Sequence, residues 1–130
     1  MKIYMILADS AQEVNGKLYI LGGGWDVAGS PLPSMAVAVK AEIPWTSTNK
    51  KLNWSLSLVN EDGNLIRDEA GNPMGTNGQV EVGRPSGHPE GAPISWPMAV
   101  NINNLVLAAG RYEWQLEIDG SHESVSFIIR

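Results

Sequence analysis

An all-β chain, folded as a single antiparallel β-sandwich, is what three features of this sequence predict. Apolar and polar residues alternate at period two in several windows, turn residues recur at short intervals, and no window has convincing helical spacing. The alternation is clearest over residues 52–58, where Leu52, Trp54, Leu56 and Leu58 share one face and Asn53, Ser55 and Ser57 the other. The 14 Gly and 8 Pro recur too often to leave room for helices of about ten residues. About eight or nine strands fit these signals, and a closed barrel is the alternative arrangement.

The elements follow in order. Residues 2–9 are a near-continuous apolar run with Ile3, Tyr4, Met5, Ile6 and Leu7, of strand length and too short for a buried helix. They predict a first strand covered on both faces. Residues 10–14 read as a loop and Asn15-Gly16 as a tight turn, whose positive φ angles send the chain back along itself. Leu18, Tyr19, Ile20 and Leu21 form strand two and run straight into Gly22, Gly23 and Gly24. Without β-carbons the backbone there can bend or pass close to a neighbour, which fits a crossing between two sheets. Ser30-Pro31-Leu32-Pro33 reads as a connection, because each Pro lacks the donor that a sheet interior needs.

Met35, Val37, Val39, Ala41 and Ile43 alternate with Ala36, Ala38, Lys40 and Glu42, passing from apolar on both faces to amphipathic, and Pro44 ends this third strand. After the strand over 52–58, Asp62-Gly63 turns the chain, Leu65 and Ile66 begin a short return strand, and Gly71-Asn72-Pro73 ends it. A brief strand over 79–82 leads into a long loop from Gly83 to Pro93 that holds Pro85, Gly87, Pro89 and Gly91, and loops of this length are usually functional or mobile. Ile94, Trp96, Met98, Val100 and Ile102 then share one strand face, and Pro97 places that strand at a sheet edge or on a bulge. Finally, Tyr112, Trp114, Leu116 and Ile118 pair through an Asp119-Gly120 turn with Val125, Phe127 and Ile129.

Composition limits the function. At 130 residues the chain suits one domain that buries roughly two-thirds of its extended surface. A net charge of -5 with no basic run removes the electrostatic drive for nucleic-acid binding. The absence of cysteine removes disulfides, thiolate catalysis and thiolate metal sites together. No stretch approaches the roughly 18 apolar residues of a membrane span. Lys2, the apolar residues after it and Ala8-Asp9-Ser10-Ala11 faintly suggest a secretion leader. The apolar run is shorter than the about 7–15 residues expected and reads equally well as a strand. A cytoplasmic location is therefore the expectation, and secretion the alternative.

Candidate sites are few. Asn60-Glu61-Asp62-Gly63-Asn64 and Asp68-Glu69-Ala70-Gly71-Asn72 echo one another, and carboxylates with amide oxygens suit a hard cation such as calcium, with Asp62, Asn64 and Asp68 as the candidate ligands. Leu65 stands where a helix-loop-helix calcium loop needs Gly, so two successive turns are the preferred explanation and no metal is expected. Trp54, Trp96 and Trp114 are in phase with core aliphatics and read as packing residues. Trp25 and Trp45 directly follow strand ends marked by Gly or Pro, where a flat ring can plug the sandwich or lie exposed as a sugar-stacking or protein-binding surface. The plug is preferred. Arg84, His88 and Glu90 lie together in the long loop, where His and Glu could in principle exchange protons, yet no third residue orients them. Gly22-Gly23-Gly24 is no dinucleotide fingerprint, since no helix follows to receive a pyrophosphate, and no cofactor is expected.

Ala8-Asp9 at the end of strand one, Gly16-Lys17-Leu18 opening strand two and the glycine-rich exit from that strand resemble a loosely defined group of small bacterial and phage-encoded all-β proteins of unknown function. Residues 107–114, from Leu107 through Gly110 to Tyr112 and Trp114, are similar to the "Leu…Gly-x-Tyr" lead-in to a late strand of many immunoglobulin-like sandwiches. The resemblance implies an immunoglobulin-like or jelly-roll-like sandwich and brings no catalytic residue with it. The expected function is binding without catalysis, to a protein partner or a second copy, as an accessory or assembly module. The alternatives are a carbohydrate-binding module using Trp25 and Trp45, and a small enzyme using the long loop. The first strand carries no charge between Lys2 and Asp9, so at a sheet edge it would need a cover, and the side of the molecule it occupies is the expected route of self-association.

Overall fold

Turn chemistry sets where the strands begin and end. Asn15 and Gly16 hold φ values of 52° and 78°, and Asp119 and Gly120 hold 46° and 82°, so each pair closes a two-residue hairpin as its composition predicts. The computed structural model describes residues 1–130. Its strands are β1 (Lys2–Val14), β2 (Lys17–Gly23), β3 (Val27–Ala28), β4 (Leu32–Ile43), β5 (Lys51–Asn60), β6 (Gly75–Glu81), β7 (Ile94–Leu105), β8 (Gly110–Ile118) and β9 (Ser121–Ile129), with one 3-10 turn over Trp45–Ser47. They form a four-stranded sheet in the order β2-β1-β4-β7 and a five-stranded sheet in the order β3-β9-β8-β5-β6. Each sheet ends in open edges, so the molecule is a sandwich and the barrel alternative falls. All pairings are antiparallel except that of β3 with β9.

The core lies between the sheets and uses the residues that the alternation marks. Leu7, Met35, Val37, Val39 and Ile43 face Leu52, Leu56, Leu58, Trp114, Leu116, Ile118, Phe127 and Ile129, all buried. Trp114 is fully buried, whereas Trp54 and Trp96 are only half-buried and meet each other at 6.3 Å. Tyr112, at the start of β8, donates its hydroxyl to the Ala108 carbonyl at 2.8 Å and ties the connection from β7 down.

Several boundaries differ from the sequence expectation. Residues 10–14 are not a loop: β1 continues to Val14, because the Asn15-Gly16 turn pairs Ser10, Ala11, Gln12, Glu13 and Val14 directly with β2. Leu32 and Pro33 belong to β4 rather than to a connection. β1 pairs with β4 only from Ala36 onward, so Pro33 sits where β4 has a strand on one side alone. Leu65 and Ile66 form no full strand. Leu65 makes a single bridge to Val59, while the Ile66 N–H donates to the Leu58 carbonyl, and β6 opens earlier than expected, at Gly75. The crossing after the glycines is present, since β2 ends at Gly23 in one sheet and β3 pairs with β9 in the other. Pro97 lies on β7, an edge strand as its missing donor requires.

One feature of packing arranges the candidate site. The face of β4 turned away from the core carries Ala36 and Ala38, which are fully buried together with Ala8 and Ala11, and Leu18 and Ala99 pack beside them. Ala11 is also held by Asn101 of β7: the Asn101 amide donates to the Ala11 carbonyl at 2.8 Å and its oxygen accepts the Ala11 N–H at 3.1 Å. Asn101 is the register partner of Ala36. The second half of β1 therefore crosses over the outer face of β4 to reach β7, and only alanines leave room for one strand to pass so close above another. With β2 it forms an arm folded over the outside of the sheet.

Candidate functional site

The four sheet edges are β2, β7, β3 and β6, and three of them are blunted. β3 is two residues long, β7 carries Pro97, and β6 is polar, with Thr76, Asn77, Gln79 and Glu81 among its seven residues. Short length, Pro and polar or charged side chains are the usual devices against edge-to-edge pairing. β2 has only Lys17 at its first position: no charge and no Pro stand between Lys17 and Asp26. Its Tyr19, Ile20 and Leu21 are 57%, 42% and 70% exposed, on both faces of the strand. Exposed Val14 adjoins them across the turn. Gly23 extends the strip, because a β-carbon there would lie 2.8 Å from Ile20 and 3.6 Å from Ile6, so both side chains flank the glycine and carry the apolar surface onto β1.

The two ends of this edge carry different charged groups, Lys17 and exposed Glu13, the register partner of Leu18, at one and Asp9 at the other. Lys17 stands at the start of β2. At the other end Gly22 takes φ 62°, and the Asp9 carboxylate occupies the space that a side chain at Gly22 would need. Asp9 is thereby laid against the end of β2, with Asp26 a few residues beyond.

The residues singled out from the sequence fall elsewhere. Trp25 packs edge-on to Phe127 at 6.2 Å with its indole nitrogen buried, in the manner of a plug. Trp45, Arg84 and His88 come together. The Arg84 guanidinium lies 3.9 Å over the Trp45 ring, donates to Thr48 Oγ1 at 2.7 Å and to the Trp45 carbonyl at 3.1 Å, and the His88 ring stacks beside the indole at 6.3 Å. His88 Nε2 lies 3.2 and 3.1 Å from the Ala92 and Pro93 carbonyls. Carbonyls only accept, so this nitrogen carries the proton and spends it on its own loop. Glu90 is exposed and makes no hydrogen bond or ion pair. The cluster pins the long loop onto the 3-10 turn.

Asn60 Oδ1 accepts the N–H groups of Asp62 and Asn64, both at 3.0 Å, and Asp68 Oδ1 accepts that of Asn72 at 2.9 Å, so each acidic echo is a turn closed by its own first residue. No group of three or more His, Cys, Asp or Glu side chains is assembled there or elsewhere. Thermal melts in excess calcium and in chelator are expected to coincide, since an ion binding only the folded state would raise stability. A shift of several degrees that Asp68→Ala abolishes would contradict this.

The sequence expectation missed Tyr19, Ile20 and Leu21, which it read as an ordinary strand. It also set strand one at a possible edge. That strand lies inside the sheet between β2 and β4, so the open edge belongs to β2. No helix is long and apolar enough to cross a membrane.

Comparison with curated proteins finds no match, and comparison with solved structures finds none. The model of a family of unknown function, DUF6941, matches residues 3–129, which run from the first strand of the sandwich to the last, and the chain belongs to that family.

Proposed function

We propose that this protein is a non-enzymatic protein-binding module, an accessory or assembly component of a bacterial or phage system, and that it binds through the edge of β2. The observation that carries this reading is the exposure of Tyr19, Ile20 and Leu21 along an unpaired strand whose backbone groups stand ready to accept another strand. Strand addition of this kind takes its affinity from main-chain hydrogen bonds and its specificity from alternating side chains. An immunoglobulin-like description of the sandwich draws support from the parallel pairing of β3 with β9 and from the Tyr112 hydroxyl bonded back to Ala108, the corner found in such domains. The likeness of Ala8-Asp9 and of Gly16-Lys17-Leu18 to small bacterial and phage proteins supports the biological setting.

The rival readings draw less support. Sugar stacking needs a free aromatic face, and the Trp45 ring carries Arg84 over it while Trp25 packs on Phe127. Acid–base work by His88 needs a partner to orient and activate the ring, and its Nε2 is spent on two carbonyls of its own loop while Glu90 makes no bond to it. The test is cross-linking in cells of the native host, comparing the wild type with Leu21→Lys, a surface change expected to alter stability by less than about 0.5 kcal/mol. A defined cross-linked product, with this chain or another, that the variant loses supports the reading. Equal products from both proteins, or none from either, overturn it.

A further inference from the structure

This inference rests on the reading of β2 as the binding edge and names its occupant. We propose that the partner is a second copy of this chain: β2 of one protomer pairs antiparallel with β2 of the other about a two-fold axis near Ile20, joining the two four-stranded sheets into one. A two-fold contact brings the same patch together from both sides, so the edge must complement itself.

It does so in side chains and in charge. With Ile20 opposite Ile20, Tyr19 of each copy faces Leu21 of the other, a cross-strand pairing of aromatic with aliphatic. Lys17 of each copy meets Gly23 of the other, at the end where the Asp9 carboxylate lies against Gly22. Each end of the joint then sets Lys17 of one copy, with Glu13 beside it on β1, toward Asp9 of the other. A parallel arrangement would bring Lys17 to Lys17 and Asp9 to Asp9. Elsewhere, Glu113, Glu117, Asp119 and Glu123 make the outside of the β8-β9 hairpin acidic, which repels a copy of itself.

The area suits a reversible dimer. Tyr19, Ile20 and Leu21 expose about 370 Å² in each copy, so two copies bury at most about 750 Å² of side-chain surface, the size of a weak, transient contact. Dissociation within the accessible concentration range follows.

Sedimentation or light scattering across a hundredfold range of concentration tests this. The mass is expected to rise from the 14.0 kDa of the chain towards twice that value, and Leu21→Lys to hold it at 14.0 kDa while leaving the thermal melt in dilute solution, where the wild type is monomeric, unchanged. Charge reversal gives a second arm that does not depend on that variant folding. Lys17→Glu and Asp9→Lys each place like charges at both ends of the joint and should weaken self-association several-fold, whereas mixing the two proteins restores opposite charges at both ends and should recover it in a heterodimer. A mass fixed at 14.0 kDa for the wild type, a dimer untouched by Leu21→Lys, or a mixture no tighter than its components overturns the proposal. If the wild type stays monomeric while the cellular cross-link to another protein is lost in Leu21→Lys, the binding edge stands and the second copy falls.

Discussion

Trp114→Ala is expected to cost about 3–5 kcal/mol of stability, read from the midpoint and slope of a denaturant melt. The side chain is 0% exposed between the two sheets, and its removal leaves a cavity lined by core residues of both. Its indole nitrogen is buried without a hydrogen-bond partner, so Trp114→Phe removes a desolvated donor along with part of the volume and is expected to cost clearly less. A loss below about 1 kcal/mol for the alanine variant would mean that the ring is not in the core. Trp54→Ala and Trp96→Ala, at half-buried positions that the alternation alone cannot distinguish from Trp114, should each cost less than Trp114→Ala.

The second large effect is expected from Ala36→Leu. Ala36 is fully buried on the outer face of β4 among Ala8, Ala11 and Ala38, directly beneath the arm that β1 and β2 form. A leucine there adds three carbons to a fully buried position, so it either strains the packing, at about 1–3 kcal/mol, or lifts the arm. Hydrogen exchange separates these outcomes: a lifted arm exposes the amides of residues 10–21 while those of β5, β8 and β9 keep their protection. Asn101→Ala attacks the same contact from the other side, since it leaves the Ala11 N–H and carbonyl without their partner. Unchanged stability in both variants would show that the arm does not rest on this surface.

The sandwich core was legible in the sequence because each core strand buries one face, and burial of one face imposes period two. The strand over 52–58, the β8-β9 hairpin and the hairpin turns at Asn15-Gly16 and Asp119-Gly120 appear where the pattern and turn chemistry place them. The second half of β1 was not legible. Ser10, Gln12 and Glu13 lack the apolar signal of a strand because this segment is paired by the turn that follows it and held by Asn101, which is distant in sequence. Ala36 and Ala38 were read as apolar on an outer face, but nothing local identifies the strand that covers them. Leu18, Tyr19, Ile20 and Leu21 show the limit most clearly. An apolar run reads the same whether its strand lies inside a sheet or at its edge, and only the pairing order separates the two.

The proposed binding site is that edge, and amide hydrogen exchange of β2 measured at low and at high protein concentration tests it most directly. In dilute solution the amides of Leu18 and Ile20, which alternate with the β1-facing amides of Lys17, Tyr19 and Leu21 and so point to the free edge, should exchange quickly. At high concentration, or with a partner bound, they should become protected, while the amides on the free edges of β6 and β7 exchange at an unchanged rate. Exchange from β2 that stays fast under both conditions, with protection arising at β6 or β7 instead, would contradict a β2 binding edge.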